Sequence, residues 1–508
     1  MVDNSVNNPI IPLDYPDPDV IRVDDTYYMV STSMYFMPGC EILRSYDLVN
    51  WEHACFVYDR LDSTKGQKLE DGENIYGKGM WAGSLRYHNG LFHIVFAAND
   101  TRKTYLYTSP SVDEPWTKSE IEGFYHDASL FFDDDNRVYI IYGNRQVWLT
   151  ELEEDLSGPK EGGLNRIIVS EDEDNHRLGY EGAHFYKIDG QYYVFLIHSL
   201  KDVWMRSQAC YTSETLTGTF EGGNILVDDR GYHGQGVAQG GIVDTPDGDW
   251  YAVLFQDHNA VGRLPVLTPL TWKDKFPVIG EDKKIPKEFS VKSTRGNYSY
   301  APLYGSEDFK EKTEHLHGLQ SYWQFNHEPN LEGYSVNYDE GYVELTNQVV
   351  TDTFAQSQNM LTQRMLLPSS SAEVTVDVTS LKNGDIAGFA ALQYQYGLVG
   401  IEKENNVYYI VFQSFNKLAG KEEKQYIKEL LTLPDSGKVK LKIEADFKNQ
   451  TDTIRFSYEE GEEFKQIGPD HKTAFDLEYF TGCRYALFNW GSKETDGSAR
   501  FSQFEYNE

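Results

Sequence analysis

The stretch DASLFFDDDNRVYIIYG, residues 127–143, places a polar turn at Asp135-Asn136 between two short runs rich in aromatic and β-branched residues. This pattern predicts a β-hairpin, because polar turn pairs between apolar runs are typical of tight hairpins. Four other stretches follow the same template. They are DPDVIRVDDTYYMVST (17–32), WAGSLRYHNGLFHIVFA (81–97), EGAHFYKIDGQYYVFLI (181–197) and QGGIVDTPDGDWYAVLF (239–255).

The spacing of these hairpins indicates a repeat architecture. Their second turn residues fall at positions 26, 90, 136, 190 and 248, which are 46 to 64 residues apart. That length accommodates one four-stranded sheet with its loops, the size of a propeller blade. The sequence therefore predicts an all-β fold that begins with a five-bladed β-propeller.

A second region follows in which the hairpin template does not continue. Residues 305–320 are charged and show no strand pattern, so they are interpreted as a linker. Beyond them, alternating patterns predict a concanavalin-like jelly-roll β-sandwich. The predicted domains are 1–304, 305–320 and 321–508. The strands predicted for the sandwich are Tyr342–Val350, Ala372–Val378, Gly388–Tyr394, Val407–Ser414, Lys438–Ala445, Thr453–Tyr458, Tyr485–Trp490 and Arg500–Tyr506.

Composition excludes some classes of partner. With 46 Lys and Arg against 80 Asp and Glu, the formal net charge is −34. This charge argues against nucleic acid and against anionic membrane surfaces, since both are bound through basic residues. The sequence contains no run of about 18 apolar residues, so no membrane-spanning helix is predicted.

The N-terminus and the cysteines bear on localisation. Met1–Asn8 is polar and lacks the pattern of a signal peptide, which predicts a cytoplasmic protein, or a secreted one if a leader has been removed. The four cysteines show no CxxC spacing and are expected to be free thiols; a Cys40–Cys55 disulfide is the alternative.

One template position carries most of the chemistry. Counting nine residues back from the second turn residue gives Asp17, Trp81, Asp127, Glu181 and Gln239. The inner strands of a propeller surround its axis, so these residues should form a ring. Three carboxylates in one ring raise one another's pKa, which favours a functional role. Glycoside hydrolysis uses such a set, as one acid and one base; ordinary turn aspartates or a Ca²⁺ site are the alternatives.

Further motifs identify a family. These motifs are Asn8-Pro-Ile-Ile11, Tyr15-Pro-Asp-Pro-Asp-Val-Ile-Arg22, Ser45-Tyr-Asp-Leu-Val-Asn-Trp-Glu52, Gly79-Met-Trp-Ala82, Tyr125-His-Asp-Ala-Ser129, Tyr180-Glu-Gly-Ala-His184, Gln256-Asp-His258, Val261-Gly-Arg-Leu-Pro-Val-Leu267 and Asn359-Met-Leu-Thr-Gln-Arg364. With them the sequence resembles glycoside hydrolase family 43, in the branch of β-xylosidases and α-L-arabinofuranosidases with a C-terminal β-sandwich. The family fold agrees with the predicted propeller.

The resemblance implies a role for each site residue. It implies that Asp17 is the general base, Glu181 the general acid and Asp127 the carboxylate that tunes and orients the acid. It also implies inversion at the anomeric carbon, which needs a base and an acid about 6.5–9.5 Å apart. The loop Met34–Glu41 is expected to border the sugar pocket. The expected substrate-binding residues are Trp81, Arg263, Phe36, His126 and Gln239.

The function expected from this resemblance is exo-acting, inverting release of terminal α-L-arabinofuranosyl or β-D-xylosyl residues from arabinoxylan oligosaccharides. The sandwich is expected to brace the propeller and to lend a loop to the pocket wall. A retaining or endo-acting hydrolase of arabinan or fructan and a non-catalytic carbohydrate-binding protein are the alternatives.

No cofactor is expected for the chemistry, and metal ligands are not assigned. Val237-Ala238 stands where many relatives carry a histidine beside an axial cation, which argues against a structural calcium ion. The sequence leaves the oligomeric state open.

Overall fold

The structure, a computed structural model, describes residues 3–418 and 420–508. Apart from four 3-10 helices of three residues each, all regular structure in these ranges is β-strand. The helices are Asn259–Val261, Leu331–Gly333, Phe354–Gln356 and Lys448–Gln450. Within the described ranges, no helix is long and apolar enough to cross a bilayer. All four cysteines are free thiols, as expected.

Strand β1 (Asp3–Ser5) precedes five antiparallel four-stranded sheets, called blades I to V, and each blade uses four consecutive strands. The five-bladed propeller is therefore confirmed. Blade I contains β2 (Asp19–Val23), β3 (Thr26–Val30), β4 (Gly39–Ser45) and β5 (Glu52–Tyr58). Blade II contains β6 (Met80–His88), β7 (Leu91–Ala98), β8 (Lys103–Ser109) and β9 (Thr117–Ile121). Blade III contains β10 (Ser129–Phe132), β11 (Val138–Tyr142), β12 (Gln146–Leu152) and β13 (Asn165–Ser170). Blade IV contains β14 (Glu181–Ile188), β15 (Gln191–Ser199), β16 (Arg206–Ser213) and β17 (Glu221–Leu226). Blade V contains β18 (Ile242–Asp244), β19 (Trp250–Asp257), β20 (Arg263–Lys273) and β21 (Phe276–Ile279).

The inner hairpins have the turn geometry that their residues predict. Asn89-Gly90 has φ values of 50° and 79°, and Asp189-Gly190 has 50° and 77°. Positive φ at both central residues is the type I′ turn, which matches the twist of the flanking strands. These turns lie at one end of the inner strands, so the template residues at the strand starts meet at the other end.

Strand β22 (Ser290–Lys292) pairs with β1, and the remaining strands form the predicted sandwich. One sheet has the order β23 (Gln324–Phe325), β26 (Leu361–Arg364), β36 (Arg484–Gly491), β28 (Asp385–Leu392), β29 (Gly397–Glu404), β30 (Val407–Leu418) and β31 (Lys421–Leu430). The other has the order β24 (Tyr334–Asn337), β25 (Tyr342–Thr346), β37 (Ser498–Asn507), β27 (Ser369–Asp377), β32 (Lys438–Asp446), β33 (Thr453–Glu460) and β34 (Glu463–Gln466), with β35 (His471–Lys472) paired to β33.

The two domains share one apolar core. Tyr15 of the propeller and Trp323 and Phe325 of the sandwich are all fully buried in it. The segment interpreted as a linker, 305–320, forms no strand, and its Phe309 and Leu319 are also fully buried there. The exact domain boundaries stay a prediction.

Candidate active site

All five template residues line one cavity of about 280 Å³, at the end of the propeller where the inner strands begin. The ring expected from the sequence is therefore present, with carboxylates from blades I, III and IV. The other residues that line the cavity are Met34, Ala82, His126, Asn144, Arg263 and Phe480.

The backbone at these five positions is irregular. Asp17, Asp127 and Gln239 have φ values of 53°, 48° and 57°, in the left-handed region. Trp81 and Glu181 lie instead where the register of the inner hairpin shifts, as in a β-bulge. Left-handed residues and bulges both re-aim a side chain at the end of a strand. Here they place the template residues around the cavity.

Asp17 is held by the segment that precedes it and by two donors. The Tyr15 amide donates to the Arg263 carbonyl at 3.0 Å, which aligns residues 14–17 with β20. Arg263 Nη1 donates to Asp17 Oδ1 at 2.8 Å, and Thr32 Oγ1 donates to Oδ2 at 2.7 Å. Charge-assisted bonds of this kind fix a carboxylate in one orientation. Asp17 is thus a buried, oriented carboxylate beside a fixed cation.

Asp127 and His126 form a coupled pair next to Glu181. His126 Nε2 lies 3.7 Å from Asp127 Oδ2 and 3.4 Å from Glu181 Oε2. Burial, opposed by the His126 charge, raises the pKa of Asp127 to about 7, and Glu181 and Asp17 add to this rise. The Asp127 charge, opposed by burial, raises the pKa of His126 to about 9. Near neutral pH this cluster retains protons beside Glu181.

Glu181 is the most accessible of the three carboxylates. Its side chain is 18% exposed, against 8% for Asp127 and 8% for Asp17. Asn144 Nδ2 donates a hydrogen bond to Glu181 Oε2, the oxygen that also faces His126. Among the described residues, no hydrogen bond reaches the other carboxylate oxygen, which leaves Glu181 able to meet a ligand in the cavity.

Arg263 presents free donors to the cavity. Its guanidinium lies 5.3 Å from the Phe255 ring centre and 4.7 Å from that of Phe480. Among the described residues, neither Nε nor Nη2 of Arg263 finds a hydrogen-bond acceptor, although both atoms are buried. Buried donors without a partner are costly, so a ligand with hydroxyl groups suits this position.

Comparison with known proteins identifies the family. Residues 6–277 match the family described as glycosyl hydrolases family 43. The chain belongs to this family. Residues 306–507 match the beta xylosidase C-terminal concanavalin A-like domain. The resemblance stated from the motifs is therefore confirmed.

Three relatives cover most of the chain. A β-xylosidase from Formosa agariphila is 27% identical and covers 99% of this chain and 90% of its own length. A non-reducing end α-L-arabinofuranosidase from Bacteroides ovatus is 23% identical over 76% of this chain and 74% of its own length. The solved structure of a bifunctional GH43-CE protein from Bacteroides eggerthii has a TM-score of 0.90 and 38% identity over the whole chain. This chain spans 64% of that protein's length.

One expected substrate contact is wrong. Phe36 does not line the cavity and is only 1% exposed. The Arg484 guanidinium lies over the Phe36 ring, 3.4 Å from the centre of that ring. The reason lies in the loop itself. Met34 adopts a φ of 52° and forms a bridge with Met80, which brings Met34 to the cavity and turns Phe36 toward the sandwich.

Three cavity residues were not predicted: Ala82, which follows Trp81, and Asn144 and Phe480. Asn144 follows β11, in the loop at the cavity end of blade III, so counting along the second strand of each hairpin would have found this position. Phe480 comes from the sandwich, between β35 and β36, and the propeller repeat contains no signal for it. The family's second domain thus contributes directly to the cavity wall.

A cation could be held in one place in the cavity. In the part of the chain that the structure describes, His126, Asp127 and Glu181 are the group whose ligand atoms lie within 4.8 Å of one another. The propeller axis is less suited to calcium. Arg86 Nη1 lies 2.7 Å from Asp19 and His184 Nδ1 lies 3.0 Å from it, so protein donors already occupy both oxygens of this buried carboxylate.

Proposed function

We propose that this chain is an exo-acting, inverting glycoside hydrolase that releases terminal β-D-xylosyl or α-L-arabinofuranosyl residues from xylan-derived oligosaccharides such as arabinoxylan fragments. The observation that carries this proposal is the meeting of Asp17, Asp127 and Glu181, from three blades, in one small cavity. The named activities of the β-xylosidase and α-L-arabinofuranosidase relatives support the choice of sugars.

Asp17 provides the base. Asp17 is fixed by Arg263 and Thr32, and its carboxylate accepts the proton of a water molecule that attacks the anomeric carbon. The bond from Arg263 Nη1 to Asp17 Oδ1 fixes the orientation of this base. Inversion follows when the water attacks from the face opposite to the leaving group.

Glu181, paired with Asp127, provides the acid. Asp127 and Glu181 have oxygens within 4.8 Å of each other, so repulsion favours a state in which the two carboxylates share one proton. Glu181 is more exposed than Asp127 and donates this proton to the glycosidic oxygen. When Glu181 carries the shared proton, the buried Asp127 beside it carries the negative charge.

The dimensions favour removal of one terminal unit at a time. A volume of about 280 Å³ is at the lower end for ligand pockets. Trp81 and Phe480 lie 5.7 Å apart between ring centres and close one wall. Aromatic faces of this kind stack on the apolar face of a sugar ring. Both proton transfers use carboxylates, so we also propose that the reaction needs no cofactor. The cytoplasmic location stays a proposal from the sequence alone.

A leaving-group series tests the roles of the two carboxylates. Glu181→Gln should lower kcat/KM by about 10²–10⁴-fold on xylobiose and on methyl glycosides, but much less on dinitrophenyl glycosides, whose leaving group needs no proton. Asp17→Asn should lower kcat/KM by a similar factor on all of these substrates. Full activity of either variant on xylobiose would remove that residue from its role.

The stereochemistry tests the mechanism independently. Proton NMR of the first product should show the inverted anomer before mutarotation. A retained anomer would exclude water attack assisted by Asp17 and would favour a covalent intermediate.

Undiminished turnover after treatment with EDTA is the expected result for a reaction without a metal ion.

A further inference from the structure

An exposed apolar pair lies in the loop that joins β15 to β16 in blade IV. Val203 is 52% exposed and Trp204 is 47% exposed. The loop is nevertheless well defined: the Leu200 amide donates to the Met205 carbonyl at 3.0 Å, and the Met205 amide donates to the Val203 carbonyl at 2.9 Å. Trp204 is therefore held at the surface by a tight turn.

The topology places this loop at the cavity end of the propeller. Strand β14 begins at Glu181, beside the cavity, and runs away from it. Strand β15 returns antiparallel and ends at Ser199, and Arg206 pairs with Ser199 at the start of β16. Trp204 therefore lies in the same blade as Glu181 and at the same end of that blade. Across the sheet, the loop of Trp204 is about two strand spacings from Glu181, roughly 10 Å.

Arg206 connects Trp204 to the cavity wall. Its guanidinium lies 5.8 Å from the Trp204 ring centre and 5.7 Å from that of Phe255, and it is ion-paired with Asp257. Arg263 contacts the same Phe255 ring from 5.3 Å, and Asp257 pairs in register with Arg263. One face of the indole is therefore supported by a cation fixed to the catalytic wall.

We propose that Trp204 is the stacking platform for the leaving-group sugar, the xylosyl ring on the far side of the scissile bond. This inference rests on the proposed function. The general acid protonates the glycosidic oxygen, which departs with the leaving group, so that group lies on the side of Glu181. The cavity holds the terminal unit, and the next ring must lie outside it, over the exposed edge of blade IV. An indole with one solvated face suits the apolar face of a pyranose.

The test compares substrates with and without a second sugar ring. Trp204→Ala should lower kcat/KM on xylotriose, or on an arabinofuranosyl-xylotriose, by about tenfold, mainly through KM, as expected for the loss of one stacking contact. On the matching methyl glycoside, which has no second ring, kcat/KM should stay within about twofold. Trp204→Phe should restore most of the loss. Equal losses on both substrates, or no loss on either, would overturn the proposal.

Two controls separate this inference from the proposed function. Tyr87→Ala removes an aromatic residue that is 44% exposed near the opposite end of β6, and it should leave both substrates unaffected. In a Glu181→Gln background, calorimetry should show weaker binding of xylotriose when Trp204 is replaced by Ala, and unchanged binding of the free monosaccharide. If the wild type releases neither xylose nor arabinose from any substrate, the proposed function fails. If the wild type is active and the Trp204 variants match it on oligosaccharides, the proposed function stands and the stacking platform fails.

Discussion

Asp17 and Asp127 each provide a carboxylate and also adopt a left-handed backbone conformation. Both have positive φ, 53° and 48°, which most side chains tolerate poorly. Aspartate is among the few residues other than glycine that enter this region readily, because its short side chain bonds locally. The chemistry needs a carboxylate at these positions, and the strand start needs a left-handed residue. Aspartate meets both requirements.

The protons held by Asp127 and His126 should make stability depend on pH. An unfolded aspartate titrates near 4, whereas burial raises the pKa of Asp127 to about 7, so the folded protein holds an extra proton between these values. His126, with a pKa raised to about 9 mainly by Asp127, holds another between about 6.5 and 9. Because the folded state binds more protons throughout, this contribution to stability decreases as pH rises from about 4 to 9.

Asp127→Asn should remove that dependence. Asparagine has no proton to lose, and His126 loses the charge that raises its pKa most. The free energy of unfolding of the variant, relative to the wild type, should therefore increase by about 4 kcal/mol or more between pH 4 and pH 9, since the rise of about three pKa units at Asp127 alone corresponds to about 4 kcal/mol; urea unfolding measures it. Asp134→Asn is the control, since the Asp134 side chain is 84% exposed. Parallel curves for wild type and Asp127→Asn would contradict the prediction, whereas kcat should fall in any case.

Much of the site could be predicted because it repeats. The offset from the hairpin turn found Asp17, Trp81, Asp127, Glu181 and Gln239 together, since every blade uses the same strand geometry. Residues outside the repeat were harder. Asn144 belongs to the same blade as Asp127 but lies on a loop outside the hairpin template. Phe36 was expected at the pocket because the loop Met34–Glu41 was expected to border it. Side-chain direction in a loop depends on tertiary packing, which one sequence does not display.

At the scale of elements, the inner strands are tied together on the propeller axis. Asp19 of β2 is fully buried and accepts bonds from the Leu85 amide, from Arg86 Nη1 and from His184 Nδ1. Arg86 Nη2 donates to Ser129 Oγ at 2.8 Å. Four blades thus meet at one polar cluster. Asp19 and Ser129 lie two residues beyond Asp17 and Asp127, so the cluster also sets the positions of these two cavity aspartates.

Arg86→Met should destabilise the propeller strongly. Burial raises the pKa of Asp19, but Arg86 and His184 outweigh burial and hold this pKa below its usual value, so the carboxylate is charged at neutral pH. Without Arg86 it becomes a buried charge with one cation fewer, which costs about 3–5 kcal/mol. Urea unfolding at pH 7 measures the loss, and the Asp19→Asn/Arg86→Met double variant should recover part of it.

Arg137→Met is the matched control for this prediction. Arg137 pairs with Asp135 in a turn of blade III, but both side chains are about half exposed, at 47% and 50%. Exposed pairs contribute about 0–1 kcal/mol. A loss for Arg86→Met no larger than that of Arg137→Met would show that the axial cluster does not hold the inner strands.

Strand prediction succeeded where alternation was strong. The sandwich strands over Ala372–Val378 and Lys438–Ala445 were expected, and β27 and β32 extend these ranges by only a few residues. Two long strands were missed. Strand β29 begins at a glycine and contains a second one, and the edge strand β31 consists largely of Lys and Glu. Charged edge strands protect a sheet from pairing with other chains. Because Lys and Glu then occupy both faces of the strand, the alternation of apolar and polar residues that predicts a strand is absent.

At the scale of the whole molecule, the sandwich supports the segment that leads to Asp17. Asp14 accepts hydrogen bonds from the Arg263 amide at 2.8 Å and from the Gly482 amide of the sandwich at 2.7 Å. Arg364 of the sandwich donates to the Asp14 carbonyl at 2.9 Å and pairs with the buried Glu41 at 3.2 Å. These contacts lie three residues from Asp17. Both domains therefore position Asp17, and the sandwich is part of the support of the cavity.

Phe480 tests this conclusion at the cavity itself. It reaches the cavity from the sandwich, covers the Arg263 guanidinium at 4.7 Å and lies opposite Trp81. Phe480→Ala should open the wall and loosen Arg263, which orients Asp17, so kcat/KM on xylobiose should fall by about 10–100-fold. Leu477→Ala, in the same loop but at a residue 74% exposed, should retain full activity. Steady-state kinetics and the midpoint of thermal unfolding are measured for both variants. Because Phe480 is only partly buried, Phe480→Ala should lower kcat/KM and leave the unfolding midpoint unchanged. Wild-type kinetics for Phe480→Ala would show that the propeller completes the site alone.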